Sequence, residues 1–361
     1  MTHAPTPSPR SSVALPRSVV LLVGAAAAVI TAAGVQSARG ILGPLFLALV
    51  LAIVVHPLRL WLERRMPGWL ASTLCILSVY LLVVGIAAAI VVAIARFATL
   101  LPAYEDDFVA TVEDATRWLH DLGVHPDDVQ RLVDSFDLAR LAGVVGSTLS
   151  GVAGLASSLV FLLALCLFLT VDGRSFPAQL HTARADRPSL VGALGHFASG
   201  TRRYLLVSTV FGLVVAILDT IALYLMDVPV PLLWGLLAFL TNYIPNIGFV
   251  IGLVPPALLA LLDSGPGLML AVIAVYCVLN LIIQSGIQPK VVGDAVGLST
   301  TLTFVSLVFW SWIIGPVGAI MAVPLTLLVK ALLVDADDET RWLRPLIANK
   351  ADDPVASPAP D

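Results

Sequence analysis

The chain has 361 residues, of which 58% are apolar and only 12% charged, with a mean hydropathy of +0.96. A soluble domain is roughly half apolar and about a quarter charged, so a water-soluble enzyme is excluded and no nucleic-acid partner is expected. The net charge of −4 is unevenly spread: positions 98–150 carry ten acids against three arginines, and 172–203 carry five arginines against two aspartates.

Positions 1–17, rich in proline and serine, are too polar to bury a core and are expected to form a disordered tail. Apolar runs long enough to cross a bilayer follow at about 18–36, 41–57, 69–96, 151–171, 204–226 and 266–285. The first run, preceded by Arg10 and Arg17, also has the look of a cleaved signal peptide. Against cleavage, a second apolar segment begins at once, at Ile41. Two more apolar stretches, 232–262 and 300–334, are interrupted near their middles by Pro245, Asn246 and Gly248 and by Gly315, Pro316 and Gly318. The expected fold is therefore an all-α polytopic membrane protein of about eight apolar segments, two of them broken or re-entrant.

Arginine-rich loops stay in the cytoplasm, which puts Arg59, Arg64, Arg65 and the 172–203 loop inside, together with both termini, and leaves the acidic 98–150 segment outside. Within that segment Tyr104, Phe108, Val112, Ala115, Leu119 and Leu122 recur at helical spacing up to Gly123, and Pro126 opens a second such pattern. This insert is either a packing or oligomerisation element or a ligand-gathering domain. The layout is thus an N-terminal tail (1–17), N-terminal membrane helices (18–97), an amphipathic extracytoplasmic insert (98–150), a core with broken helices (151–334) and an acidic tail (335–361). Cys75, Cys166 and Cys277 all lie in apolar runs and read as packed hydrophobes.

The stretches 204–262 and 266–334 each read as a helix followed by a broken segment. Val254-Pro255-Pro256-Ala257-Leu258-Leu259 resembles Val323-Pro324-Leu325-Thr326-Leu327-Leu328. Paired interrupted segments in two halves of a chain point to a transporter binding site. If both segments are re-entrant hairpins, the loop around Gln288 to Gly293 is cytoplasmic; if both span, it is outside.

None of the three lysines follows a glycine, so no phosphate-binding loop exists. No hydrolase or metalloprotease motif is present either; the chain is not expected to be an enzyme, and neither a metal centre nor a cofactor is expected. Chemistry is left to polar residues inside apolar runs. Asn242, Tyr243, Pro245, Asn246 and Gly248 form a break whose freed carbonyls and following half-helix can hold a polar or anionic group; the plainer reading is a kink capped by asparagine. Asn280, Gln284 and Gln288, spaced by four, share one helical face that leads into Pro289 and Lys290. They read as a cavity lining or as glue between helices. Asp219, near the middle of the 204–226 run, is the candidate for proton or sodium coupling, or else a hydrogen-bonded packing residue. Gly315, Pro316, Gly318 and Pro324 are candidate hinges.

Three motifs together carry a family resemblance: NYIPNIG at 242–248 with Gly252 and Pro255-Pro256, the Asn280 to Gly293 run ending in QPKVVG, and Gly315-Pro316-Val317-Gly318-Ala319 through Val323-Pro324. With the layout of 18–334, they make the sequence resemble the autoinducer-2 exporter family of bacterial membrane transporters. Phe249 stands where the family pattern has proline, and Asp219 matches no family motif. The resemblance implies a multi-pass protein of the bacterial inner membrane and a homo-oligomer, a pentamer being one option. It also implies secondary transport of a small polar solute such as autoinducer-2 or, as in other members, of sodium or lithium against protons.

Overall fold

The computed structural model describes residues 16–100, 161–169, 173, 176–245, 247–288, 297–337 and 340. The acidic insert, the N-terminal tail and nearly all of the C-terminal tail lie outside these residues, as do Asn246, Pro289 and Lys290. Among the described residues every regular element is helical. They are α1 (Arg17–Ser37), α2 (Arg39–Glu63), α3 (Gly68–Leu100), α4 (161–169), α5 (Phe176–Asp186), α6 (Pro188–Leu225), α7 (Pro231–Thr241), α8 (Gly248–Ser264), α9 (Pro266–Asn280), α10 (Thr300–Ile314), α11 (Pro316–Ile320) and α12 (Ala322–Lys330). The last turns of two of them open into π-helix, Leu281–Ile287 after α9 and Ala331–Asp335 after α12.

Among the described residues, four helical stretches are long and apolar enough to cross a bilayer: Arg39–Glu63, Gly68–Ala89, Pro188–Leu225 and Pro266–Ile287. Many of their large apolar side chains, Leu81, Leu82, Leu206, Val210, Leu213 and Ile217 among them, point away from the packed core. This is the arrangement expected where lipid is the solvent. The molecule is a multi-pass membrane protein.

The long helix α6 is the spine. Its buried residues Ala193, Phe197, Thr201, Tyr204, Ser208, Gly212, Val215, Asp219 and Leu223 recur at intervals of three and four, so one buried stripe follows the helix for about 45 Å. In the sequence the apolar run begins at 204, and 172–203 reads as a basic loop. In the structure α6 runs back to Pro188 and α5 precedes it, because Ala193 and Phe197 continue the stripe and Pro188 fits the first helical turn.

The two broken segments are hairpins that lean on opposite halves of α6. In the first, α7 and α8 run antiparallel: Gly248 packs on the Thr241 carbonyl, and Gly252 lies against Ala238 and Thr241. Its open end is beside Leu223, near Trp234 and Ala260. Its tip reaches Ser208 and Tyr204, where Asn242 donates to the Ser208 carbonyl (2.8 Å) and the Tyr204 hydroxyl donates to the Tyr243 carbonyl (2.9 Å). In the second hairpin α10 turns at Gly315, whose φ of +84° suits glycine, and returns through α11 and α12. Gly318 packs on the Trp310 carbonyl, and the Trp310 indole N–H donates to Thr326 Oγ1 (3.0 Å).

This second hairpin points the other way. Met321 and Val323 share a cluster with Tyr204 and Leu205, Leu327 touches Gly200, and Ala331 joins Ala193 in the same cluster. Its tip therefore meets the level of Tyr204 and its open end lies toward Pro188. Both segments thus fold back on themselves and run along α6 from opposite ends. Pro324, expected as a hinge, is buried in the first turn of α12, where proline is tolerated. The breaks themselves fall at Gly315–Pro316 and at Met321.

Candidate functional site

The break between α7 and α8 is built from short-range bonds. The Ile244 N–H reaches the Thr241 carbonyl (2.8 Å), the Ile247 N–H the Pro245 carbonyl (2.7 Å) and the Gly248 N–H the Ile244 carbonyl (3.0 Å). Those two donors at the start of α8 are thus spent inside the turn. What the turn presents instead is side chains. Tyr243 exchanges a hydrogen bond with Thr209 (2.7 Å) and stacks edge-on to Phe239. Asn242 accepts from Gln284 Nε2 (2.9 Å) through its Oδ1 while its Nδ2 holds the Ser208 carbonyl. Gly212 makes this possible, since a Cβ there would stand 2.6 Å from Asn242 Nδ2.

Behind this bridge lies a cavity of about 10 Å³ lined by Val215, Asp219, Ala238, Thr241, Asn242, Phe249, Gly252, Tyr276, Asn280 and Gln284. That is room for about one water-sized species. Asp219 is fully buried, and neither carboxylate oxygen has a hydrogen-bond partner among the described residues; the Tyr276 hydroxyl and Asn280 Oδ1 are likewise unpartnered. Asn280 spends its Nδ2 on the Tyr276 carbonyl (3.0 Å), which leaves its oxygen for the cavity. Buried polar atoms are paired in the great majority of cases, so four orphaned oxygens lining one small space mark a place for a ligand.

Of the residues singled out in the sequence, the structure brings Asp219, Asn242, Asn280 and Gln284 into this cavity. Asp219 lies six residues, about 9 Å, from the Leu225 end of α6. Tyr243, Pro245 and Gly248 shape the adjoining turn. Gln288 shares the helix but is not in the lining, because it lies two turns beyond Asn280 and the cavity is one water wide. Asn246, Pro289 and Lys290 fall outside the described residues. Gly315, Pro316 and Gly318 form the turn of the other hairpin. Sequence reasoning missed Tyr276 and Thr241. Tyr276 stands four residues before Asn280 and extends the same stripe by one step. The helix also changes winding here, and π-turns are frequent at functional sites.

The model of the AI-2E family transporter matches residues 19–336. The chain belongs to this family. Among its relatives, the AI-2 transport protein TqsA of Escherichia coli (strain K12) is 29% identical over 316 residues, covering 87% of this chain and 91% of that protein. YhhT of the same strain is 29% identical over 311 residues, covering 86% and 89%. The match spans all the elements described here, both hairpins included, and the chain is a transporter by family.

Proposed function

We propose that the chain is a secondary active transporter that takes its coupling ion at Asp219, exchanging protons for a monovalent cation such as sodium or lithium. The observation that carries this reading is the set of orphaned oxygens on Asp219, Tyr276 and Asn280 around one water-sized space. A buried ionised carboxylate needs a counter-charge, and one without it takes a proton. Cation and proton then compete for the same group, which is the minimum requirement for exchange. A sugar-sized solute does not fit this space.

The second reading is proton-driven export of a small polar solute, and what favours it is the name of the relative TqsA. In that case the solute passes where the two hairpin tips meet near Tyr243 and Met321, and Asp219 carries only the proton. On either reading we place the protein in the bacterial inner membrane, as a homo-oligomer, with its arginine-rich end and both termini in the cytoplasm. A third possibility, a non-transporting scaffold, predicts no flux at all.

The deciding experiment uses proteoliposomes of the purified chain with a pH-reporting dye, offered sodium, lithium or a furanosyl solute in turn. Dye movement with sodium or lithium that Asp219→Asn abolishes is the expected result. Movement with the organic solute alone supports the exporter, and wild-type-like exchange by Asp219→Asn overturns the coupling role.

A further inference from the structure

A second and larger cavity, about 430 Å³, opens between α2, α3, α4, α5 and α6. This is within the usual size of small-molecule pockets. Its walls change character along α2. Leu49, Ala52 and Ile53 line one part, and His56 and Arg59 the other, with Arg202 of α6 beside them. Arg202 is tied to α2 through its Nε, which donates to the Ile53 carbonyl (3.3 Å). From Leu49 to Arg59 the lining turns from aliphatic to basic over about 15 Å. The remaining walls are apolar, with Val79, Leu169, Phe176, Leu180, Cys75 and Cys166 among them.

A polar solute finds too few partners along such walls, and an apolar one would leave the guanidinium groups against hydrocarbon. Arg59 is paired with Glu63 (2.8 Å). Arg202 has the Ile53 carbonyl and no carboxylate partner among the described residues, so the basic end keeps a net positive charge. The basic residues lie at the end of α2 that carries Arg64 and Arg65, and arginine-rich ends of membrane helices are where headgroups are expected. Basic pockets between membrane helices suit anionic lipid headgroups.

We infer that this cavity is a binding site for an anionic phospholipid, with its phosphate at Arg202, His56 and Arg59 and an acyl chain between α2, α3 and α4. Because Arg202 belongs to the helix on which both hairpins lean, the lipid sits against the helix that carries them, at a place separate from the Asp219 cavity.

The three native cysteines supply a test that needs no variant. Cys75 and Cys166 line this cavity and Cys277 does not. The delipidated full-length protein is relipidated in detergent with phosphatidylglycerol, with phosphatidylcholine or with inorganic phosphate, and labelled with a small permeant thiol reagent. The expected result is at least fivefold slower labelling of Cys75 and Cys166 with phosphatidylglycerol only, and an unchanged rate at Cys277. Equal protection by phosphatidylcholine overturns the charge-selective site, and equal protection by phosphate reduces it to an anion site without a tail. In the companion measurement, native mass spectrometry of Arg202→Gln shows about tenfold weaker retention of phosphatidylglycerol and Arg202→Lys keeps most of it. Undiminished retention by Arg202→Gln in a folded, monodisperse sample overturns the assignment.

Discussion

Single residues decide how closely the helices approach. At Gly235 a Cβ would collide with Thr220 Oγ1 and stand 3.0 Å from the Ala216 carbonyl, whereas at Gly192 it would meet nothing within 4 Å. Gly235→Ala is therefore expected to force α7 off α6 and destabilise the protein by about 1–3 kcal/mol. Gly192→Ala, with its better helix propensity, is expected to be neutral or to stabilise by up to about 1 kcal/mol. Thermal unfolding of the two purified variants in one detergent checks both directions. The bridge from Asn242 to Ser208 and Gln284 is a different kind of restraint. Hydrogen bonds between membrane helices contribute about 0.6 kcal/mol on average and at most about 1.7. Asn242→Ala is accordingly expected to cost about 1 kcal/mol of stability but to lose most of the ion exchange, since it removes one wall of the Asp219 cavity. A variant that melts like wild type and transports like wild type would show that the bridge is incidental.

At the scale of elements, the two hairpins repeat one device. Gly248 sits on the carbonyl of Thr241 and Gly318 on that of Trp310, each in the first turn after the break or beside it. Neither site has room for a methyl group, so Gly248→Ala and Gly318→Ala are expected to destabilise by similar amounts, about 1–3 kcal/mol each, and to add independently because the glycines belong to separate hairpins. Unfolding midpoints of the single and double variants measure this. If one is silent, the repeat is one of sequence only. Both breaks were legible in the sequence because proline and glycine in an apolar run interrupt a helix whatever its surroundings. So were Asp219 and the amide stripe, since polar groups inside such runs are costly. The direction of each hairpin was not legible, because it depends on which half of α6 the segment packs against. Nor was the start of α6: Ala193 and Phe197 stand in a short stretch broken by Gly192, Gly195 and Gly200 and flanked by Arg187 and Arg202, and it reads as helix only once the partners that bury them, Leu325, Leu327 and Ala331, are in place.

For the whole molecule, the consequence is a pair of hairpins entering from opposite ends and meeting at the level of Tyr204. Tyr243 from the first tip packs on the cluster that also holds Met321 of the second, which brings the two tips to one level of α6. The Asp219 cavity lies behind the first tip, toward the end of α6 away from the second hairpin's open end, and its lining includes Asn242 and Phe249 but no residue of the second hairpin. A bifunctional thiol reagent spanning cysteines introduced at Tyr243 and Met321, in a chain whose three native cysteines are replaced, separates the two cases. If transport needs the tips to part, cross-linking is expected to stop flux of every substrate while Asp219 still binds its cation. If the ion moves by its own route, exchange of sodium or lithium for protons continues in the cross-linked protein and only an organic solute is blocked. Flux of all substrates undiminished by a complete cross-link would mean that the hairpin contact is static and that the two tips are not part of the path.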